Sequence, residues 1–136
     1  MNWIYKGEPL EEVPEKAYGF VYVITNNKTG KKYIGRKYFT KAGYKTVKGK
    51  RKKIRVDSDW RDYWGSSPAL AKSIEEEGKE NFCREIVRIC YSRGETSYWE
   101  TKLIFEHDAI LDGNYYNNWC SCKIQASHVK ALLFNQ

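Results

Sequence analysis

Gly19-Phe-Val-Tyr-Val-Ile-Thr-Asn-Asn-Lys-Thr-Gly-Lys-Lys-Tyr-Ile-Gly-Arg36 consists of two apolar, aromatic and β-branched runs joined by a polar link. That pattern predicts a β-hairpin. Phe20, Tyr22 and Ile24 fall on one face of the first strand and Val21 and Val23 on the other, because successive side chains alternate. Asn26, Asn27 and Gly30 suit the connection, since they tolerate positive φ. Gly35 is expected to end the second strand, at a point where a side chain would obstruct a close approach. A hairpin alone is marginal in water, so the rest of the chain must cover at least one of its faces. Tyr22 and Tyr33, one per strand, are within reach of each other across the pair.

The chain has 136 residues, 41% hydrophobic and 30% charged, which fits one compact domain with a modest core and not a disordered chain. No apolar run approaches the ~18 residues of a membrane span. The first residues lack the apolar core of a signal peptide, so a cytosolic protein is expected. The net charge of +7 and pI of about 9.2 favour a polyanionic partner, of which nucleic acid is the commonest. Aromatic residues make up 15% of the chain and add rings suited to stacking as well as packing. Cys83, Cys90, Cys120 and Cys122 form an irregular set, expected to be free thiols. Cys120-x-Cys122 followed by His128 lacks the Cys-x2-Cys spacing and the second pair of a structural zinc site.

Residues 1–17 contain Pro9, Pro14 and four glutamates and read as an irregular leader, anchored by Trp3 and Tyr5. Residues 41–56 hold eight Lys or Arg and no acid, with Gly43 and Gly49 interrupting any helix. This is a mobile basic loop or a short ribbon. Eight like charges repel unless something neutralises them, and phosphates do so while releasing counterions. Trp60 and Trp64, four apart, would share a face of a helical turn. Ser67-Pro68 is an N-cap followed by proline at the first helical position, and Gly78 is a stop signal, so a helix is expected over 68–77 with Leu70 and Ile74 inward. Phe82–Tyr91 is a third strand whose apolar residues do not alternate cleanly, as when one end is buried on both faces. Ser92-Arg93-Gly94 reads as a turn, and a second helix over 95–109 carries Trp99, Leu103 and Ile104 on one stripe with Glu100 on its rim. Neither repeats nor a second domain boundary is visible.

Phe20-Val21-Tyr22, then ten residues, then Tyr33-Ile34-Gly35 resembles the paired signature of the GIY-YIG nuclease family. The later pieces are similar in order: Tyr63-x-Gly-Ser-Ser67, Glu77-Gly-Lys-Glu-Asn-Phe82, Arg84-Glu-Ile86, a helix with Glu100, and Tyr115-Tyr-Asn117. The set covers about residues 18–119 and is most similar to phage-encoded members, including relatives of homing endonucleases. The resemblance implies an α/β domain: a small three-stranded antiparallel sheet flanked by helices, over 18–119, with leader 1–17 and an extension, 120–136, packed on it. It implies hydrolysis of DNA phosphodiesters at one divalent cation, Mg²⁺ or Mn²⁺, leaving a 5′-phosphate, and a location in the cytoplasm of the host cell. A homodimer would supply two active sites.

Glu100 matches the family's metal-holding glutamate, Tyr22 and Tyr33 its signature tyrosines, and Asn117, or its neighbour Asn118, its late asparagine. A phosphodiester needs an activated water and a cation beside the developing charge. Mg²⁺ keeps most of its waters, so one carboxylate suffices. A tyrosine is a poor base at pH 7 unless positive neighbours or a metal-bound water lower its pKa, and Lys32, Arg36 and Lys37 flank Tyr33 in sequence. Tyr22 or Tyr33 is therefore expected to align or deprotonate water, and Arg36 to hold the phosphate through its planar fork. Many members carry an arginine and a histidine on a helix after the second signature. Lys37–Tyr44 has neither, which passes the arginine role to Arg36 or Arg61. Lys37, Lys45, Lys48, Lys50, Arg51, Lys52, Lys53, Arg55 and Arg61 are the expected nucleic-acid contacts. The competing readings are a non-catalytic nucleic-acid-binding module on the same scaffold and a protein whose basic loop binds an acidic partner. No recognition helix is visible, so no long target site is expected.

Overall fold

The computed structural model describes residues 1–120 and 125–133. The hairpin forms as expected from β3 (Gly19–Asn26) and β4 (Lys32–Tyr38), and β7 (Phe82–Cys90) pairs antiparallel with the other side of β3. The sheet is larger than the three antiparallel strands expected. β1 (Ile4–Tyr5) and β2 (Glu8–Pro9) extend it to the order β2-β1-β7-β3-β4, with β1 parallel to β7. The leader is therefore partly regular. Trp3 is 1% exposed and its Nε1 donates to the Trp60 carbonyl at 2.6 Å, which draws the segment against the free side of β7. Lys6 and Gly7 both have positive φ, the requirement of a two-residue hairpin turn.

The alternation read from β3 holds. Phe20, Tyr22 and Ile24 enter a core with Trp3, Phe39, Trp60, Leu70 and Ile74, while Val21 enters a second cluster with Ile34, Cys90 and Ile104. α1 (Pro68–Glu77) thus covers one face and α2 (Arg93–Glu106) the other. In β7 the register slips opposite Val21 and Tyr22, so that Val21 faces Arg88 and Tyr22 faces Ile86. This bulge switches inward parity from Phe82, Arg84 and Ile86 to Ile89, which is why the apolar pattern does not alternate.

Ser67 caps α1 by accepting from Leu70 N–H at 3.2 Å, Pro68 opens it, and Gly78 ends it at φ +88°, all as read from sequence. α2 starts earlier than expected. Ser92 is its N-cap, accepting from Glu95 N–H, and Arg93 and Gly94 are its first residues in place of a turn. Trp60 and Trp64 share no helical turn: a single 3-10 turn spans Trp60–Asp62 and the chain is extended at Tyr63. The basic segment takes the ribbon form, β5 (Thr40–Val47) paired with β6 (Lys50–Asp57) as a separate sheet. Cys83 and Cys90 are free thiols, Cys90 buried, while Cys122 and the His128 side chain lie outside the described residues.

Candidate active site

β4 is one rim of the sheet, and the candidate site wraps around it. Gly35 sits inside β4, which runs on to Tyr38, and does not end the strand as expected. The close approach is real: a Cβ on Gly35 would strike the Tyr22 phenol. That gap lets the Tyr22 hydroxyl reach the rim from one face while Glu100, on α2, arrives from the other. Gly65, at φ +87°, folds the Tyr63–Ser67 loop over the same place; a side chain there would begin 3.3 Å from the Tyr33 ring and 3.5 Å from the Tyr22 hydroxyl. The result is a cleft of about 200 Å³ whose wall includes Tyr22, Tyr33, Arg36, Ser66, Glu100 and Asn117. Four residues expected in the site, Tyr22, Tyr33, Arg36 and Glu100, therefore share one space.

Arg36 Nη1 and Glu100 Oε1 are 3.2 Å apart. The Arg36 backbone N–H also donates to the Glu100 carboxylate. Burial raises the Glu100 pKa, and Arg36 offsets this only in part. The Tyr22 and Tyr33 rings lie 6.2 Å apart by centroid, and the Tyr33 hydroxyl is 3.4 Å from Ser66 Oγ.

Sequence adjacency predicted cations that would lower the Tyr33 pKa; the structure corrects this. Burial raises Tyr22 well above its ordinary value, reinforced by Tyr63 and Tyr33. Burial also raises Tyr33, against a smaller lowering by Ser66. Alternation explains the difference. Lys32 and Arg36 project to the α2 side of β4, opposite Tyr33, and the Lys37 ammonium is held 2.6 Å from Asp59 Oδ1 and 4.0 Å over the Tyr63 ring. Burial thus favours the neutral form of both phenols at pH 7.

Asn117 lines the cleft, but both ends of its amide are engaged. Its Oδ1 accepts from Ile34 N–H at 3.0 Å and its Nδ2 donates to Ile34 C=O at 2.8 Å. It acts as a short piece of neighbouring strand. Lys32 on the same rim bonds to Asn114 and Tyr116, and Arg36 to Glu100, so successive outward groups of β4 are occupied. Asn118 also lines the cleft.

The expected nucleic-acid contacts are dispersed. Lys45, Lys48, Lys50, Arg51, Lys52, Lys53 and Arg55 lie on the β5–β6 ribbon, outside the cleft. Arg61 donates to the Glu11 carbonyl at 2.7 Å and lies 4.4 Å over the Trp60 ring, so it clamps the N-terminal segment and is not part of the cleft wall. Sequence reasoning missed Arg84. It is 3% exposed, with its guanidinium 4.5 Å from both the Trp3 and Trp64 rings, and donates to the Tyr63 and Met1 carbonyls. Its parity with Phe82 and Ile86 was the available signal. No group of three His, Cys, Asp or Glu that could hold a metal occurs among the described residues.

A family model described as "Putative endonuclease segE, GIY-YIG domain" matches residues 3–120. Over 100 residues the chain is 34% identical to "Putative endonuclease segE" of Enterobacteria phage T4, covering 74% of this chain and 40% of that protein. The chain thus spans less than half the length of that relative. No solved structure matches. No helix among the described residues is long and apolar enough to cross a membrane. With the signature tyrosines, the rim glycine and the helix glutamate meeting in one cleft, and the match running over most of its length, this chain belongs to the GIY-YIG family.

Proposed function

We propose that this protein is an endonuclease that hydrolyses DNA phosphodiesters with a divalent cation and leaves a 5′-phosphate. The observation that carries the reading is the meeting of Glu100 and Arg36 with the Tyr22 and Tyr33 hydroxyls around the rim of one sheet. The donor set fits Mg²⁺ or Mn²⁺: one carboxylate beside hydroxyl oxygens, with room for water, and no thiolate or imidazole cluster among the described residues. Glu100 would hold the cation, which when bound supplies positive charge beside the phosphate's developing negative charge.

The remaining work falls to the chain. Arg36 presents a planar fork to the phosphate oxygens. A phosphate that draws Arg36 away also releases the Glu100 carboxylate. Tyr22 and Tyr33, kept neutral by burial, accept hydrogen bonds from water and align it on phosphorus. Water adds to phosphorus, the P–O3′ bond breaks, and the proton released from water balances the one gained by the 3′-oxygen. Asn117 is a positioning residue, since it fixes Ile34 between Tyr33 and Gly35.

The test is nicking of supercoiled plasmid with Mg²⁺. The wild type is expected to nick and Glu100→Ala to lose about a hundredfold or more in rate, as for a lost charge-stabilising group, with binding retained. Equal nicking by both, or nicking that survives a chelator, overturns the reading. The double engagement of Glu100 by Arg36 favours a second reading, a scaffold that binds without cutting. A wild type that binds plasmid but leaves it intact would select that one.

A further inference from the structure

The β5–β6 ribbon leaves the domain beside the cleft, since Tyr38 closes β4 and Thr40 opens β5. Its register runs without a break from Thr40↔Asp57 to Val47↔Lys50. Directly opposed residues share a face, so this register sorts the side chains. One face carries Arg51, Lys53 and Arg55 with Tyr44 and Thr46. The other carries Lys41, Lys45, Lys50 and Lys52 with Val47, Ile54 and Val56. Both arginines therefore fall on one side and the lysines mostly on the other. None of these cations makes an ion pair among the described residues.

The arginine face is ordered in advance. Arg51 stacks 3.9 Å over the Tyr44 ring, and Arg55 donates to the Thr40 carbonyl at 2.8 Å and its Oγ1 at 3.1 Å. At the tip, Lys48 and Gly49 have φ of 52° and 75°, the two-residue turn that matches the twist of paired strands.

We infer that the ribbon reads sequence in the major groove of duplex DNA, with Arg51, Lys53 and Arg55 toward the base edges and the lysine face toward the phosphates. The inference rests on the DNA reading proposed above. The groove is ~12 Å wide and ~8.5 Å deep and admits a two-stranded ribbon. A ribbon on its floor sets its outer face level with the phosphates of the groove lips, within reach of lysine side chains. Arginine is the side chain whose fork matches guanine, and threonine bonds to any base. The major groove of an RNA helix is too narrow for such a ribbon. Eight residues at ~3.4 Å each make it ~27 Å long, which covers about 8 base pairs. A groove lined by Arg36, Thr40, Lys41 and Asp59 joins its base to the cleft. The bases read lie on one side of the bound phosphate, within about one helical turn.

The test is selection of bound duplexes from a randomised pool by the full chain, with a chelator present so that nothing is cut. The wild type should enrich a short motif. Arg51→Lys, which keeps the charge, should erase preference at one or two positions. Lys45→Gln with Lys52→Gln should keep the motif, weaken every duplex alike, and lower the slope of log affinity against log salt by about 1.8. All three side chains are exposed, and matching melting temperatures confirm that the variants fold. No binding, no enriched motif, or the same response from both faces overturns the inference. The plasmid assay reports separately: a chain that selects a motif but never nicks keeps this inference and loses the nuclease reading, and a chain that nicks without a ribbon-dependent motif does the reverse.

Discussion

A carboxylate serves a cation best when nothing else holds it, yet Glu100 is gripped by the Arg36 backbone and guanidinium together. Burial still outweighs Arg36, so the folded chain binds the Glu100 proton more tightly than the unfolded chain does. Ionising Glu100 therefore works against folding as pH rises from the ordinary glutamate value through the raised one. Glu100→Gln removes that charge and keeps the shape. Thermal melts should show the variant above the wild type near pH 7.5 by ~4 °C, the shift that ~1 kcal/mol gives a domain of this size, and level with it near pH 4. A variant that melts lower at pH 7.5 would mean that Arg36 outweighs burial. At this scale the residue types of the site were legible, but their ionisation was not. Lys32 and Arg36 lie within three positions of Tyr33 in sequence and yet project to the opposite face, and Lys37 is diverted by Asp59, twenty-two positions away.

At the scale of elements, Asn117 does for β4 what another strand would do. Asn117→Ala leaves the Ile34 N–H and C=O without partners in a buried setting, a cost of ~1–3 kcal/mol for each group left unsatisfied. Hydrogen exchange at the Ile34 amide should quicken while the amides shared by β3 and β7 keep their protection. Unchanged exchange at Ile34 would remove Asn117 from its positioning role. The β3–β4 hairpin, α1 and β7 were legible because each carries a period or a cap. β1 and β2 were not, since two-residue strands are too short to show a period. The β7 bulge was also hidden, because a slip in register exists only relative to the partner strand.

For the whole molecule, the sequence pointed to a basic chain with a modest core, and the N-terminal segment, read as an irregular leader, contributes Trp3 to that core. Trp3 fills the space between Phe20 and Tyr22, at centroid distances of 5.0 and 4.9 Å. Trp3→Ala should destabilise by ~3–5 kcal/mol, a large share of the ~5–15 kcal/mol usual for a domain. The midpoint of urea unfolding should fall with its slope unchanged, and an unmoved midpoint would refute this. The two rims of the sheet carry a further consequence. β2 is short and ends in Pro9, which has no N–H to offer, and the outward N–H groups of Lys32, Ile34 and Arg36 on β4 are already taken. Neither margin gives a passing copy of the chain a free row of donors on which to stack. The cleft can thus lie open at the border of a sheet without seeding fibrils.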